Sequence, residues 1–393
     1  MSECPFLVYE HGYEPALFVR EKARTLTVRH EPPRHVNRDI VLSTSMPLLN
    51  KVSAPFDTCT LKTTMHHLEY LECAHLRGSM DHIPNINHLA MKCAQNRSFN
   101  FGVCTQLRTL EVSVTFGEVN LRNLPSSLVK LHVQDCSVHC ITHLSNLRSL
   151  HIAFISQEQI DMLDARNLAH ILIEYAAPSL GSSVLHVDFS KFEALTHFEH
   201  ASVVGTLVKL PETLVSLTCR LLNEAETGLY VNCLRHVRLQ HLKVYVVDQY
   251  AIGILHADSL VELEIDSCHS LNLERFPNLR KININRIDHL TCPLSLESLT
   301  CNCEKIYNLG DLTSLLYLNL TCSNSLLHLP QNLMDLNLCI SYGKTFVSHQ
   351  LRKCDITVLS SMEPDFYDSI KKQANLVLKE PYSLFGVSTG VGP

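Results

Sequence analysis

The sequence contains no tryptophan, only 13 glycines in 393 residues, and only 18% charged residues. So low a charge content excludes a long solvated helix or coiled coil, and 46% hydrophobic residues exclude disorder. No run of about 18 or more apolar residues occurs, so no helical membrane span is expected. Positive charge is not in excess: 33 Lys plus Arg stand against 39 Asp plus Glu, a formal charge of −6, which argues against nucleic-acid binding through a general basic field. The opening segment carries acids where a secretory signal carries bases, and Glu10 and His11 end its apolar run. No export signal is visible, and a cytoplasmic location is expected. Also missing are a nucleophile elbow, a phosphate-binding glycine loop, a metalloprotease helix and the Cys-x-x-Cys redox spacing.

Cysteine and histidine are plentiful, at 16 and 23 residues. Disulfide scaffolds belong to short secreted chains that cannot build a core, whereas this chain is long. Its thiols are therefore expected to be reduced and mostly buried as small hydrophobes.

The dominant pattern is a recurring phrase, Leu-x-x-Leu-x-Leu/Ile/Val. Clear copies start at Leu107, Leu128, Leu147, Leu168, Leu260, Leu279, Leu315 and Leu333. Weaker ones start at Leu68, Ile86, Leu195, Leu214, Leu234, Leu296 and Leu351, giving about fifteen copies. Starts lie roughly 17 to 21 residues apart, with longer steps from 168 to 195 and from 234 to 260. A fixed period near 19 predicts a solenoid. The last two aliphatics alternate at the strand period of two, so each copy is one short strand with a buried face and an exposed one. One such coil cannot bury its apolar face alone, so successive coils stack. Proline keeps the same phase, falling three residues before the first Leu at Pro125, Pro211, Pro293 and Pro330. A residue with fixed φ and no N–H suits the corner where the strand begins.

Over about residues 61 to 358 the chain resembles the leucine-rich repeat superfamily, whose pattern is Leu-x-x-Leu-x-Leu-x-x-Asn/Cys-x-Leu. The Leu-Pro-x-x-Leu phrasing is similar to the short repeats of bacterial effectors and of protist or plant proteins. The resemblance implies an α/β horseshoe solenoid with parallel β-strands on the concave face and a mostly irregular convex side with a few short helices. Cys136 and Cys268 match the Asn/Cys position, whereas Thr115, Ile155, Ile287 and Glu304 do not, so no continuous asparagine ladder is expected.

Residues 1–60 read as an N-terminal cap in which Thr25–Val28 adds a strand, residues 61–358 as the array, and 359–393 as a capping helix and frayed tail. Ser156-Gln-Glu-Gln159 resembles a capping box, and Asp248 is placed to cap a helix from Gln249. Pro178–Ser183 has the punctuation of a break.

Chemistry is scarce. Cys136-x-x-His139-Cys140-x-x-His143 has metal-like spacing, but Cys136 falls on a core position and packing explains the segment. Cys301-x-Cys303 and the dipeptide His66-His67 invite redox or metal readings, but Cys301 falls on a core position and core packing is the expectation. Bacterial ligases with similar repeats append a helical catalytic domain, and about 35 residues after the last copy are too few for one. No catalytic residue, cofactor or metal is therefore expected. The remaining candidate is the outward strand face, where residues between the second and third aliphatics form a column. Its partner-binding residues are expected to be His132, His151, Glu199, Arg238, Glu264, Asn283 and Asn319, flanked by a charged patch that includes Arg235, Glu262 and Asp266. The function expected is that of a monomeric, non-enzymatic scaffold binding a protein partner on this face. A regulatory adaptor, such as a ubiquitin-ligase substrate receptor recruiting through residues 1–60, is the alternative. A metal-dependent protein using Cys136 to His143 is a third reading. The histidine content also predicts partner affinity that changes between pH 5 and 7, the range of roughly neutral imidazole titration.

Overall fold

Alternation at the strand period is visible coil by coil. In the strand Thr109–Val114, Leu110, Val112 and Val114 are buried, while Thr109, Glu111 and Ser113 face outward. The computed structural model describes residues 6–9, 24–28, 39–42, 46–346, 353–358 and 377–378. Within 46–346 it does not describe 94–96, 115–118, 135–136, 139–140, 142, 154–155, 165, 175–183, 202–204, 224–228, 231–233, 248, 323–325 and 341–343. The chain divides into two compact units, Met1–Leu214 and Val215–Pro393.

In the first unit every described strand of the main ladder runs parallel to the next: Phe6–Tyr9, Thr25–Val28, Lys51–Leu61, Tyr70–Arg77, His88–Cys93, Thr109–Val114, Lys130–Gln134, Ser149–Ile152, His170–Ile173 and His197–His200. The register thus reaches back through the segment expected as a cap, where Leu49, Val52 and Ala54 are buried like any later trio. On the return side, Arg97–Asn100, Val119–Arg122 and Ser137–Val138 form a small parallel sheet. A single-turn helix, Gln157–Met162, has the expected capping box: Ser156 Oγ accepts from Gln159 N, and Ser156 N donates to Gln159 Oε1. At its other end Lys191 Nζ donates to the carbonyls of Asp161 and Leu163, satisfying acceptors that a helix end leaves open.

The second unit stacks Ser216–Asn223, His241–Val247, Glu262–Asn272, Lys281–Thr291, Ser298–Ile306, Tyr317–Cys322, Asp335–Ile340, Lys353–Val358 and Val377–Leu378, again all parallel. Here the expected register needs one correction. The coil expected as Leu234-x-x-Val237-x-Leu239 is instead Leu239-x-x-Leu242-x-Val244, because Leu242 pairs with Leu217 on one side and Leu263 on the other. The preceding turn also buries Leu234 and Val237. A helix, Gln249–Ile254, follows this strand, and Arg275 from the next coil caps it by donating to the carbonyls of Gly253 and Leu255.

No asparagine ladder is needed at the corner after these strands, because the β-ladder itself continues round it. Cys268 pairs with Ile287, Ile287 with Cys303 across a bulge, and Cys303 with Cys322. Strand pairing supplies the backbone bonds that side-chain amides would otherwise provide.

Most described coils share one turn. The N–H of the first Leu returns to the carbonyl three residues earlier, as in Leu68 to Met65, Leu107 to Cys104, Leu147 to Leu144, Leu195 to Phe192 and, in the second unit, Leu279 to Phe276 and Leu315 to Leu312. Pro125, Pro211 and Pro293 accept this bond from Leu128, Leu214 and Leu296, so the phased prolines do sit at the corner.

The residue just before the first Leu links the coils. Asn85, Ser127, Asn146 and Thr213 of the first unit donate to carbonyls of the preceding coil, at His66, Leu107, Ser126 and Leu195. In the second unit Asn278, Ser295 and Asn332 do the same toward Asp258, Leu279 and Thr313.

Pro178–Ser183, Asp248, Cys136, His139, Cys140 and residues 359–376 of the expected capping helix lie outside the described residues. No helix among the described residues is long and apolar enough to cross a membrane.

Candidate functional site

Parallel register turns single outward residues into columns. In the first unit the central column reads Ser53, Glu72, Ala90, Glu111, His132, His151, Leu172 and Glu199. The column two residues earlier reads Lys51, Tyr70, His88, Thr109, Lys130, Ser149, His170 and His197. Strand neighbours stand about 4.8 Å apart, which lets planar side chains stack along a column. The rings of Tyr70 and His88 lie 4.3 Å apart, those of His170 and His197 4.3 Å, and those of His132 and His151 3.6 Å. Lys51 Nζ sits 4.5 Å from the Tyr70 ring.

Ala90 is the small residue between Glu72 and Glu111, and the face dips there. The groove has a volume of about 210 Å³, and its lining includes Glu72, Met91, Lys92, Glu111, His132 and Gln134. Ser53 Oγ donates to Glu72 at 2.7 Å, and Lys130 Nζ donates to Glu111 at 2.7 Å. Burial alone would raise the Glu111 carboxyl, but the hydrogen bond and charge of Lys130 hold it below its ordinary value. Burial lowers His88. Burial and the neighbouring His151 lower His132, while burial and Lys130 lower His151. All three rings therefore favour the neutral form more than a free imidazole does.

Beyond the column, His151 Nε2 lies 2.7 Å from Glu174 Oε1, and Gln134 Nε2 donates to the same oxygen at 2.8 Å. A carboxylate only accepts, so a neutral His151 carries its proton on Nε2. Gln134 and Glu174 belong to coils on either side of the His151 coil. The residue there at the same position is Ala153, too short to keep them apart.

In the second unit the central column reads Thr218, Lys243, Glu264, Asn283, Thr300, Asn319 and Asn337. Its early coils carry ion pairs: Lys243 Nζ to Glu264 at 2.7 Å, and Glu262 between Lys281 and His241. The hydrogen bond from Lys281 holds the Glu262 carboxyl low. Later coils present a neutral amide and hydroxyl strip around a shallow depression of about 190 Å³ that Thr300, Tyr317, Asn319, Asp335 and Asn337 help line.

Of the residues expected on the strip, His132, His151 and Glu199 stand in the column of the first unit, and Glu264, Asn283 and Asn319 in that of the second. Arg238 does not. The shifted register leaves it in the turn before the strand, exposed and 3.9 Å from Asp258, with Arg235 beside it. Lys243 holds the column position instead. The repeat interval contained that signal, since Leu239 lies 21 residues before Leu260 and Leu234 lies 26. Glu174 and Gln134 were missed because they lie two residues past the column, where the motif defines no position.

The alternative chemical candidates resolve as packing where they can be seen. Cys301 and Cys303 are buried in the core, and contact with Cys303 together with burial pushes the Cys301 thiol up. Burial likewise raises Cys104 to about 11. His143 uses Nε2 on the Leu124 carbonyl of the preceding coil; His66 and His67, against the core-packing expectation, are exposed.

No protein-family model and no curated protein sequence matches the chain. Solved structures that align with it include the leucine-rich repeat ectodomain of the plant membrane receptor kinase GASSHO1/SCHENGEN3 from Arabidopsis thaliana. The identity is 15% and the TM-score 0.32, over 88% of this chain and 55% of that one. The Toll–Spatzle complex of Drosophila aligns at 12% identity and a TM-score of 0.45, over 90% and 63%. YopM from Yersinia enterocolitica aligns at 15% identity and 0.36, over 85% and 87%. The chain spans 55% and 63% of the length of the first two. By its own repeat phrase and the parallel register of its coils, the chain is a leucine-rich repeat solenoid.

Proposed function

We propose that the chain is a non-enzymatic binding protein that captures a protein partner on the strand face of its coils. The supporting observation is the ordering of the outward columns. Rings stacked at 3.6 to 4.3 Å and ion pairs at 2.7 Å hold polar side chains in place before any partner arrives. A preordered face loses less side-chain entropy on binding, so more of its contact energy appears as affinity. The surface suits a polar, hydrogen-bonding partner: carboxylates and imidazoles in the first unit, ion pairs and amides in the second. A cytoplasmic location belongs to the same reading, supported by buried thiols such as Cys104 and Cys292 that burial keeps protonated.

The test is capture of interacting proteins from the source cell, followed by direct affinity measurement with the recovered partner. Glu199→Lys in the first unit and Lys243→Glu with Asn283→Lys in the second are expected to weaken binding by roughly tenfold or more, about 1.4 kcal/mol. Arg238→Glu, off the column, is expected to stay within about twofold. Full affinity in both strand-face variants would sink the proposal.

A further inference from the structure

The groups around Glu174 support a chemistry that the repeat does not require. His132 and His151 face each other across paired strands, and Glu174 follows the strand paired with that of His151. One ligand atom from each of the three lies within 4.8 Å of the other two. Zinc bonds to imidazole nitrogen and carboxylate oxygen of about 2.0–2.2 Å place tetrahedral ligand atoms about 3.3 Å apart. Closing the cluster therefore needs shifts of about 1.5 Å or less, within reach of side-chain rotation alone. The His151 and Glu174 side chains are 18% and 12% exposed, so the cluster is largely shielded from bulk water.

We infer that His132, His151 and Glu174 bind one divalent transition-metal ion, with zinc the best fit. Two imidazoles with one carboxylate form a borderline donor set, which suits zinc and its neighbours and disfavours magnesium and calcium, both of which seek oxygen. The set also has an outer support. Gln134 donates to Glu174 Oε1 at 2.8 Å, the type of second contact that orients a ligating carboxylate. With three protein ligands, a tetrahedral ion keeps one position open. That position adjoins the groove that His132 and Gln134 help line, where water or a donor atom from a bound partner completes the shell. Without metal, the same residues form a hydrogen-bonded His–Glu pair beneath a stacked ring. The ion takes the place of the shared proton, and the His151 proton moves to the other ring nitrogen.

The experiment uses the full chain, stripped with a chelator and titrated with cobalt(II) and then zinc at neutral pH, with no partner present. The expected result is one ion per chain, a cobalt visible spectrum without a thiolate charge-transfer band, and displacement of cobalt by zinc but not by magnesium. His151→Gln with Glu174→Gln should lower affinity roughly 100-fold or more, and Gln134→Leu about 10- to 100-fold. His170→Gln, in the separate stack with His197, should leave it within about twofold. If the double variant fails to fold, zinc-edge absorption fine structure of the native chain decides the case through a shell of nitrogen and oxygen with two imidazoles. Sulfur in that shell, absence of stoichiometric binding, or affinity unchanged in a folded double variant would each overturn the site. None of these outcomes depends on partner capture, so this site and the proposed function can fail separately.

Discussion

At the residue scale, His200 shows how a repeat tolerates an exception. It occupies the third aliphatic position of the coil Leu195/Phe198, is fully buried, and lies against the Phe198 ring at 6.3 Å. Burial lowers its pKa from 6.5 to about 4. Between those values the unfolded chain binds a proton that the folded chain refuses. The stabilisation is therefore complete above about pH 6.5 and declines as pH falls toward 4, by about 3 kcal/mol in all. His200→Leu should remove that decline, so that denaturant-derived stability from pH 7 to 4 falls less steeply than in the native chain. Identical slopes would contradict the assignment. Gly78 is an exception of another kind. It leaves the strand Tyr70–Arg77 at φ +115°, and an added Cβ would lie 2.8 Å from the Leu61 carbonyl oxygen. Both the backbone and the space forbid a side chain, so Gly78→Ala should cost about 1–3 kcal/mol, read as a lowered denaturation midpoint.

At the scale of the coil, the polar residue before the first Leu is the main addition to the repeat. In Asn85, Ser127, Asn146, Thr213, Asn278, Ser295 and Asn332, a short side chain at one phase reaches one carbonyl in the coil below. Asn146→Ala and Asn278→Ala should each lower stability by about 1 kcal/mol, and the effects should add because the two sites share no contacts. A chemical denaturation series on both single variants and the double variant checks this, and two silent variants would show the links to be incidental. The aliphatic trio was legible in the sequence because burial acts on every coil alike. The polar position was equally periodic, but its alternation among Asn, Ser and Thr conceals it from a search for identical letters. Register failed at Leu234 because Leu234-x-x-Val237-x-Leu239 and Leu239-x-x-Leu242-x-Val244 fit the same phrase, and both sets are buried. The interval to Leu260, 21 residues from Leu239 against 26 from Leu234, favours the second set, and the partner strands fix it. The column residues His132 and His151 followed from register alone, whereas Glu174 depended on a gap at Ala153 that becomes visible once neighbouring coils are aligned.

At the scale of the molecule, the consequence of parallel stacking is that each coil depends on its two neighbours more than on the whole. The strand Ser149–Ile152 pairs with Lys130–Gln134 on one side and His170–Ile173 on the other. Its Leu150 is 1% exposed, in register with Leu131 and Ile171. Leu150→Ala leaves a cavity in one coil and should cost about 2–5 kcal/mol. In a globular core that loss spreads through a cooperative unit, but in a nearest-neighbour stack it is felt first where the coil touches others. Amide hydrogen exchange should therefore accelerate most in Lys130–Gln134 and His170–Ile173. It should accelerate least in Tyr70–Arg77, which is separated from the substituted strand by His88–Cys93, Thr109–Val114 and Lys130–Gln134. Equal acceleration throughout residues 51 to 200 would mean that this unit unfolds as one body. Its strand face would then be a single cooperative surface, and the metal ligands on three adjacent coils would be coupled to the stability of every coil in the unit.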